Sequence, residues 1–138
     1  MKLYIEIFFY ILIGVVMYFF DISDGRYKNC NSVKSHVFLL THQILGNFLL
    51  FGILSNNKYV LCAYIVTFLV VIISQLLSSG YCPLTTYVNR ECGVGKDEPL
   101  RDSMYYIGLK RTNVFYYISL CVFFSVVIYK FRIKRFFL

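Results

Sequence analysis

YVLCAYIVTFLVVIISQLLS, residues 59–78, runs for twenty positions without a charged side chain. A hydrocarbon core of ~30 Å takes about 20 helical residues at ~1.5 Å each, with about 17 as the lower limit. The run is therefore long enough to cross a bilayer as one helix. Working outward, three comparable stretches appear at residues 3–20, 37–54 and 114–131. The last is completed by Phe131 and by the apolar stems of Lys130 and Arg132, whose charged ends reach the interface. The four stretches hold more than half of the 138 residues. The expected fold is all-α: one domain over 1–138, an integral membrane four-helix bundle with an outer loop at 79–113.

Composition agrees. Charged residues make up 15% and the apolar set 59%, against roughly 25% and roughly 45–50% in an average soluble domain. Mean hydropathy is +0.65. A water-soluble chain of this length has too little interior to hide that much apolar surface. The net charge of +7 does not indicate nucleic acid, because the basic residues stand at the ends of the apolar runs. Lys130, Arg132, Lys134 and Arg135 in particular read as contacts to lipid headgroups. Phe and Tyr are abundant, with one Ala and no Trp, a bias that AT-rich codons explain better than bilayer physics does. The first run ends Met17-Tyr18-Phe19-Phe20-Asp21, without a small-x-small cleavage site, and so reads as a retained span.

Four spans put both termini on one side. Six basic residues fall there (Lys2, Lys58, Lys130, Arg132, Lys134, Arg135) and the other eight on the opposite side, so charge does not fix the orientation. Cys30, Cys82 and Cys92 all lie in the loops opposite the termini. A disulfide between Cys82 and Cys92 would make that side oxidising and the termini cytosolic. The link Ser55-Asn56-Asn57-Lys58 is short enough to make the second and third runs an antiparallel hairpin. In the outer loop, Asp97-Glu98-Pro99 reads as a helix start, with Leu100, Met104 and Ile107 on one face of a short surface-lying amphipathic helix.

Polar residues inside the runs are the places to look for chemistry. Glu6 lies within the first turns, where a carboxylate reaches the interface and meets the positive helix end. The second run is the most polar, and His42, Gln43 and Asn47 form its candidate intramembrane site, either a proton path or interhelical hydrogen bonding. His36 sits nearer the interface and reads as solvated. In the third run Ala63, Thr67, Ser74 and Ser78 make a small-residue stripe expected to pack on the Gly46/Asn47 region. Gly93-Val94-Gly95-Lys96 fails as a phosphate loop, since Arg90 and Asp97 stand where Gly and Ser or Thr are required. No catalytic motif, cofactor site or metal-ligand spacing is found.

Cys82-Pro83-Leu84-Thr85, directly after the third run, resembles a family of small uncharacterised bacterial four-helix membrane proteins that carry this tetrapeptide at the same place. The likeness covers residues 79–90 and the spacing of runs two to four, while Thr86-Tyr87-Val88 departs from the family's acidic continuation. It implies the four-helix topology and no activity. Size and composition also resemble the multi-span proteins of the internal membranes of large icosahedral DNA viruses. The leading expectation is a structural or accessory multi-pass membrane protein, a virion-membrane or minor-capsid component that tethers neighbouring membrane or capsid proteins to lipid. Two alternatives stand beside it. One is a quinone-coupled thiol oxidoreductase using Cys30, Cys82 and Cys92. The other is a small channel or proton conductor based on His42 and Asn47.

Overall fold

The computed structural model describes residues 3–27, 29–78, 81–95, 98 and 113–134, with backbone only for 113–119 and 131–134. All regular structure among the described residues is helical: α1 (Leu3–Ser23), α2 (Val33–Phe51), α3 (Lys58–Leu77), α4 (Pro83–Glu91) and α5 (Asn113–Lys134). A 3₁₀ turn, Gly52–Leu54, extends α2. Three helical stretches, Leu3–Ser23, Val33–Leu54 and Lys58–Leu77, are long and apolar enough to cross a membrane, and Leu120–Lys130 is a shorter apolar stretch. Only 17%, 28% and 22% of the three spanning windows is buried within the chain; α1 and α3 carry many exposed apolar side chains, whereas most of α2 is half-buried. The surface-helix expectation after Pro99 lies outside the described residues.

Helices α1 and α2 run antiparallel and in close contact. Gly14 makes this possible: a Cβ there would stand 2.5 Å from Ile44 Cγ1 and 2.8 Å from Ile44 Cα. Edge-to-face ring pairs continue the seam, Tyr10 on Phe48 at 5.4 Å and Phe9 on Phe51 at 6.2 Å between centroids. The link after α2 brings α3 back, started by Asn57, whose Oδ1 accepts from the Tyr59 N–H at 3.0 Å. Tyr64 then packs against Phe48 and into the space over Gly52, where a Cβ would meet Tyr64 Cδ2 at 2.8 Å.

The buried face of α3 lies beside the small-residue stripe, of which Thr67, Ser74 and Ser78 are half-buried. Ala63 is exposed, whereas Val60, Leu61 and Tyr64 are buried. The missing side chain at Gly52 makes room for an aromatic ring, so the bulky face of α3 turns inward. Phe123 of α5 stacks on Phe68 at 4.2 Å and 5° and lies 5.9 Å from Tyr64, forming an aromatic core between α3 and α5.

At the end nearest the termini, three elements meet. Ser55 donates to the Glu6 carboxylate, and Lys130 Nζ donates to the carbonyls of Ile53 (2.6 Å) and Ser55 (2.5 Å). Glu6 is thus turned inward, 3% exposed, rather than out toward the interface. Lys130, read from sequence as a headgroup contact, spends these hydrogen bonds on carbonyls at the C-terminal end of α2, where a cation also offsets the negative helix end. Arg132 and Lys134 lie on α5 with backbone alone described, and Arg135 is outside the described residues.

The far end of α1 and α2 is closed by α4, a helix the sequence reading missed. It lies along the first half of α2 in the opposite direction: Cys82 meets His42, Tyr87 meets Phe38, and Cys92 meets Cys30 just before α2. Pro83 at its first turn supplies a preset φ and lacks an N–H that would have gone unpaired. Thr85, Val88, Asn89 and Cys92 are spaced to face one side, and all four are buried. Gly93, at φ 69°, ends the helix, and the Val94 N–H bonds back to the Asn89 carbonyl at 2.9 Å. That is a left-handed C-terminal cap with Val94 folded onto the Tyr27–Cys30–Leu39–Val88–Cys92 cluster.

Candidate functional site

The expected disulfide between Cys82 and Cys92 does not form; Cys92 pairs with Cys30, with their Cα atoms 4.5 Å apart. Cys82 and Cys92 flank α4 as its two caps. Ten positions apart, they are separated by about 15 Å of helix, more than twice the ~7 Å between Cα atoms that a disulfide tolerates. The loop between α1 and α2 instead delivers Cys30 to the C-terminal end of α4. Both bonded cysteines are buried at 5% exposure.

Around this bond the polar side chains are tied to one another. Tyr27 donates to Asn89 Oδ1 at 3.0 Å, and Asn89 Nδ2 donates to the carbonyls of Gly95 (3.1 Å) and Glu98 (2.7 Å). Asn89, fully buried, thus pins both the α1–α2 loop and the segment after α4. Burial, with Asp21 nearby, pushes the Tyr27 phenol up, so it stays protonated and remains a donor. Arg26 and Glu98 form an ion pair at 3.4 Å on the rim. His36 is not merely solvated: Nε2 lies 2.8 Å from the Cys30 carbonyl and Nδ1 3.1 Å from the Tyr18 hydroxyl. A carbonyl only accepts, so the tautomer that satisfies both carries its proton on Nε2 and takes the Tyr18 proton at Nδ1.

The candidate intramembrane residues His42, Gln43 and Asn47 do not converge on one point. Gln43 donates to the Asp21 carboxylate on α1, and Asn47 Nδ2 donates to the Gln43 backbone carbonyl at 2.8 Å. Asp21, Gln43 and Asn47 are all about 1% exposed or less. These two side chains fasten α2 to α1 and to itself. His42 faces the other way, toward α4.

His42 Nδ1 stands 3.6 Å from Cys82 Sγ, a pair with nucleophilic chemistry in it. Cys82 occupies the N-cap of α4, at the positive end of a helix. Burial of the sulfur disfavours the thiolate. The hydrogen bond and charge of His42, with the N–H and hydroxyl of Thr85, outweigh that effect and hold the thiol at about 6 instead of 9.0. His42 is 6% and Thr85 7% exposed, whereas Cys82 is half-buried. The Thr85 hydroxyl has no nitrogen or oxygen partner. His42 comes five residues after Val37, so the sulfur sits about 7–8 Å along α2 from the start of its apolar run. Cys62 and Cys121, also free, are exposed on α3 and α5.

The pairing was legible only in part. Cys82 and His42 each stood out by type, but their meeting depends on α4 folding back along α2, which neither periodicity nor spacing revealed. Among the described residues, no group of three His, Cys, Asp or Glu side chains is arranged to hold a metal ion. Compared with protein-family models, characterised proteins and solved structures, the chain finds no match.

Proposed function

We propose that this chain is an accessory multi-pass membrane protein: a four-helix bundle in lipid whose disulfide-tied cap fastens neighbouring membrane or capsid proteins to the bilayer. One observation carries the reading. The buried side-chain pairs Glu6–Ser55 at one end and Asp21–Gln43 and Tyr27–Asn89 at the other, with half-buried Lys130 and His36 on backbone carbonyls, hold the helices. Interhelical ties of this kind belong to a scaffold. The outward-facing apolar sides of α1 and α3 match a lipid surround, with Phe8 64% and Leu77 83% exposed.

A three-cysteine redox relay receives less support, because Cys30 and Cys92 are buried together while Cys82 stands a helix-length away. The cap's outer side is built for contact. Tyr87 lies between the cations of Lys34 (5.1 Å) and Arg90 (5.7 Å), with Phe38 edge-on at 4.9 Å. Replacing both cations, Lys34→Glu with Arg90→Glu, is expected to release the protein from its native assembly on blue-native gels while leaving it in the carbonate-washed membrane pellet. An assembly of unchanged size would reject the docking role.

A further inference from the structure

The Cys82–His42 pair stands apart from the ties that close the cap. The disulfide already closes the cap, and Asn89 already pins its loops. A buried imidazole, a buried hydroxyl and a helix N-terminus nevertheless converge on one half-exposed sulfur. We infer that Cys82 is a reactive thiol that His42 activates for exchange with disulfides arriving at the membrane surface, so that the protein forms mixed disulfides through this residue.

The step balances without a further reagent. The Cys82 proton passes to His42 Nδ1, and the thiolate attacks one sulfur of the incoming disulfide. A bond forms between Cys82 Sγ and that sulfur as the incoming S–S bond breaks. The departing thiolate takes the proton back from His42. Cys82 is oxidised to the mixed disulfide and the departing sulfur is reduced to a thiol. The resident Cys30–Cys92 bond takes no part, since α4 holds it about 15 Å from Cys82. Disulfide chemistry also suits the compartment, because the same end of the molecule carries a formed disulfide. The inference goes beyond the scaffold reading and holds whether or not the cap docks a neighbour.

The thiol at about 6 rather than 9.0 sets the expected size of the effect. At pH 5.5 roughly a quarter of Cys82 is thiolate, against about 0.03% for an unassisted thiol, while the weaker nucleophilicity of the more acidic thiol gives back about 16–32-fold. The net advantage is about 25–50-fold at pH 5.5 and only about 3–6-fold at pH 7. The test is exchange with cystamine, a small disulfide, on the full-length protein in nanodiscs, with adducts mapped by peptide mass. His42 and Thr85 are the groups that face the sulfur and set the profile. The wild type should form its adduct at Cys82 with a rate that rises through pH 6. His42→Gln should remove most of that advantage at pH 5.5, Thr85 still facing the sulfur, with the Cys30–Cys92 peptide pair intact. A wild-type rate that rises only above pH 8 would overturn the inference, and that measurement needs no variant. Reaction of His42→Gln at the wild-type rate, or adducts confined to Cys62 and Cys121, would overturn it equally.

Discussion

Replacing Cys92 with Ala should weaken the fold far more than replacing Cys82 with Ala, and the size of the difference follows from the chain the bond encloses. Cys30 and Cys92 are 62 positions apart. If that whole segment were flexible when unfolded, cross-linking it would contribute about 4 kcal/mol by loop entropy. In a membrane, α2, its 3₁₀ turn and α3 stay helical when tertiary contacts are lost. That leaves 62 − 42 = 20 flexible positions, counting 19, 3 and 20 residues for those elements. The contribution then falls to about 3 kcal/mol. The expected loss is therefore about 3–4 kcal/mol for Cys30→Ala or Cys92→Ala alone, with little more for the double substitution because both remove the same bond. Titration of detergent-solubilised protein with SDS, followed by tyrosine fluorescence, measures it. The reasoning is refuted if Cys82→Ala costs as much as Cys92→Ala, or if non-reducing peptide mapping joins Cys82 to Cys92.

Three other outcomes are expected. Gly14→Ala drives a Cβ to within 2.8 Å of the Ile44 backbone and should cost about 1–3 kcal/mol in the same titration. Asn89→Ala strips the buried Tyr27 hydroxyl and two carbonyls of their partner; a loss of about 1–3 kcal/mol should appear with faster amide exchange across α4 and the α1–α2 loop. Lys130→Met removes charge-assisted bonds to the carbonyls of Ile53 and Ser55. It should cost about 1.5–3 kcal/mol and raise amide exchange around the link between α2 and α3.

The long helices could be read directly, because twenty uncharged residues leave the backbone of 59–78 no better arrangement in an apolar solvent. Helix α4 could not. It is nine residues long and mostly polar, too short to be stable alone, and it exists because α2 offers Leu39 and Phe38 for Val88 and Tyr87 to cover. Pro83 carried the same start signal as Pro99, and weighing it equally would have placed a helix between Cys82 and Cys92 and ruled out their bond. Glu6 reads from sequence as an interfacial acid because its place in the first turns suggests water; its partner Ser55 is 49 positions away. The pairs Asp21–Gln43 and Cys82–His42 were hidden for the same reason. Each joins residues whose separation along the chain carries no information about contact.

We propose that lipid surrounds α1, α2, α3 and α5, with the cap on one face and the α2–α3 link on the other. Sealed vesicles carrying either Lys58→Cys or Arg90→Cys, in a background lacking Cys62, Cys82 and Cys121, test this with a membrane-impermeant maleimide. The two positions should label from opposite faces, and tags at both termini should be cleaved by protease from the face that labels Lys58→Cys. Labelling of both cysteines from one face, or release of the protein into a carbonate wash, would contradict the account.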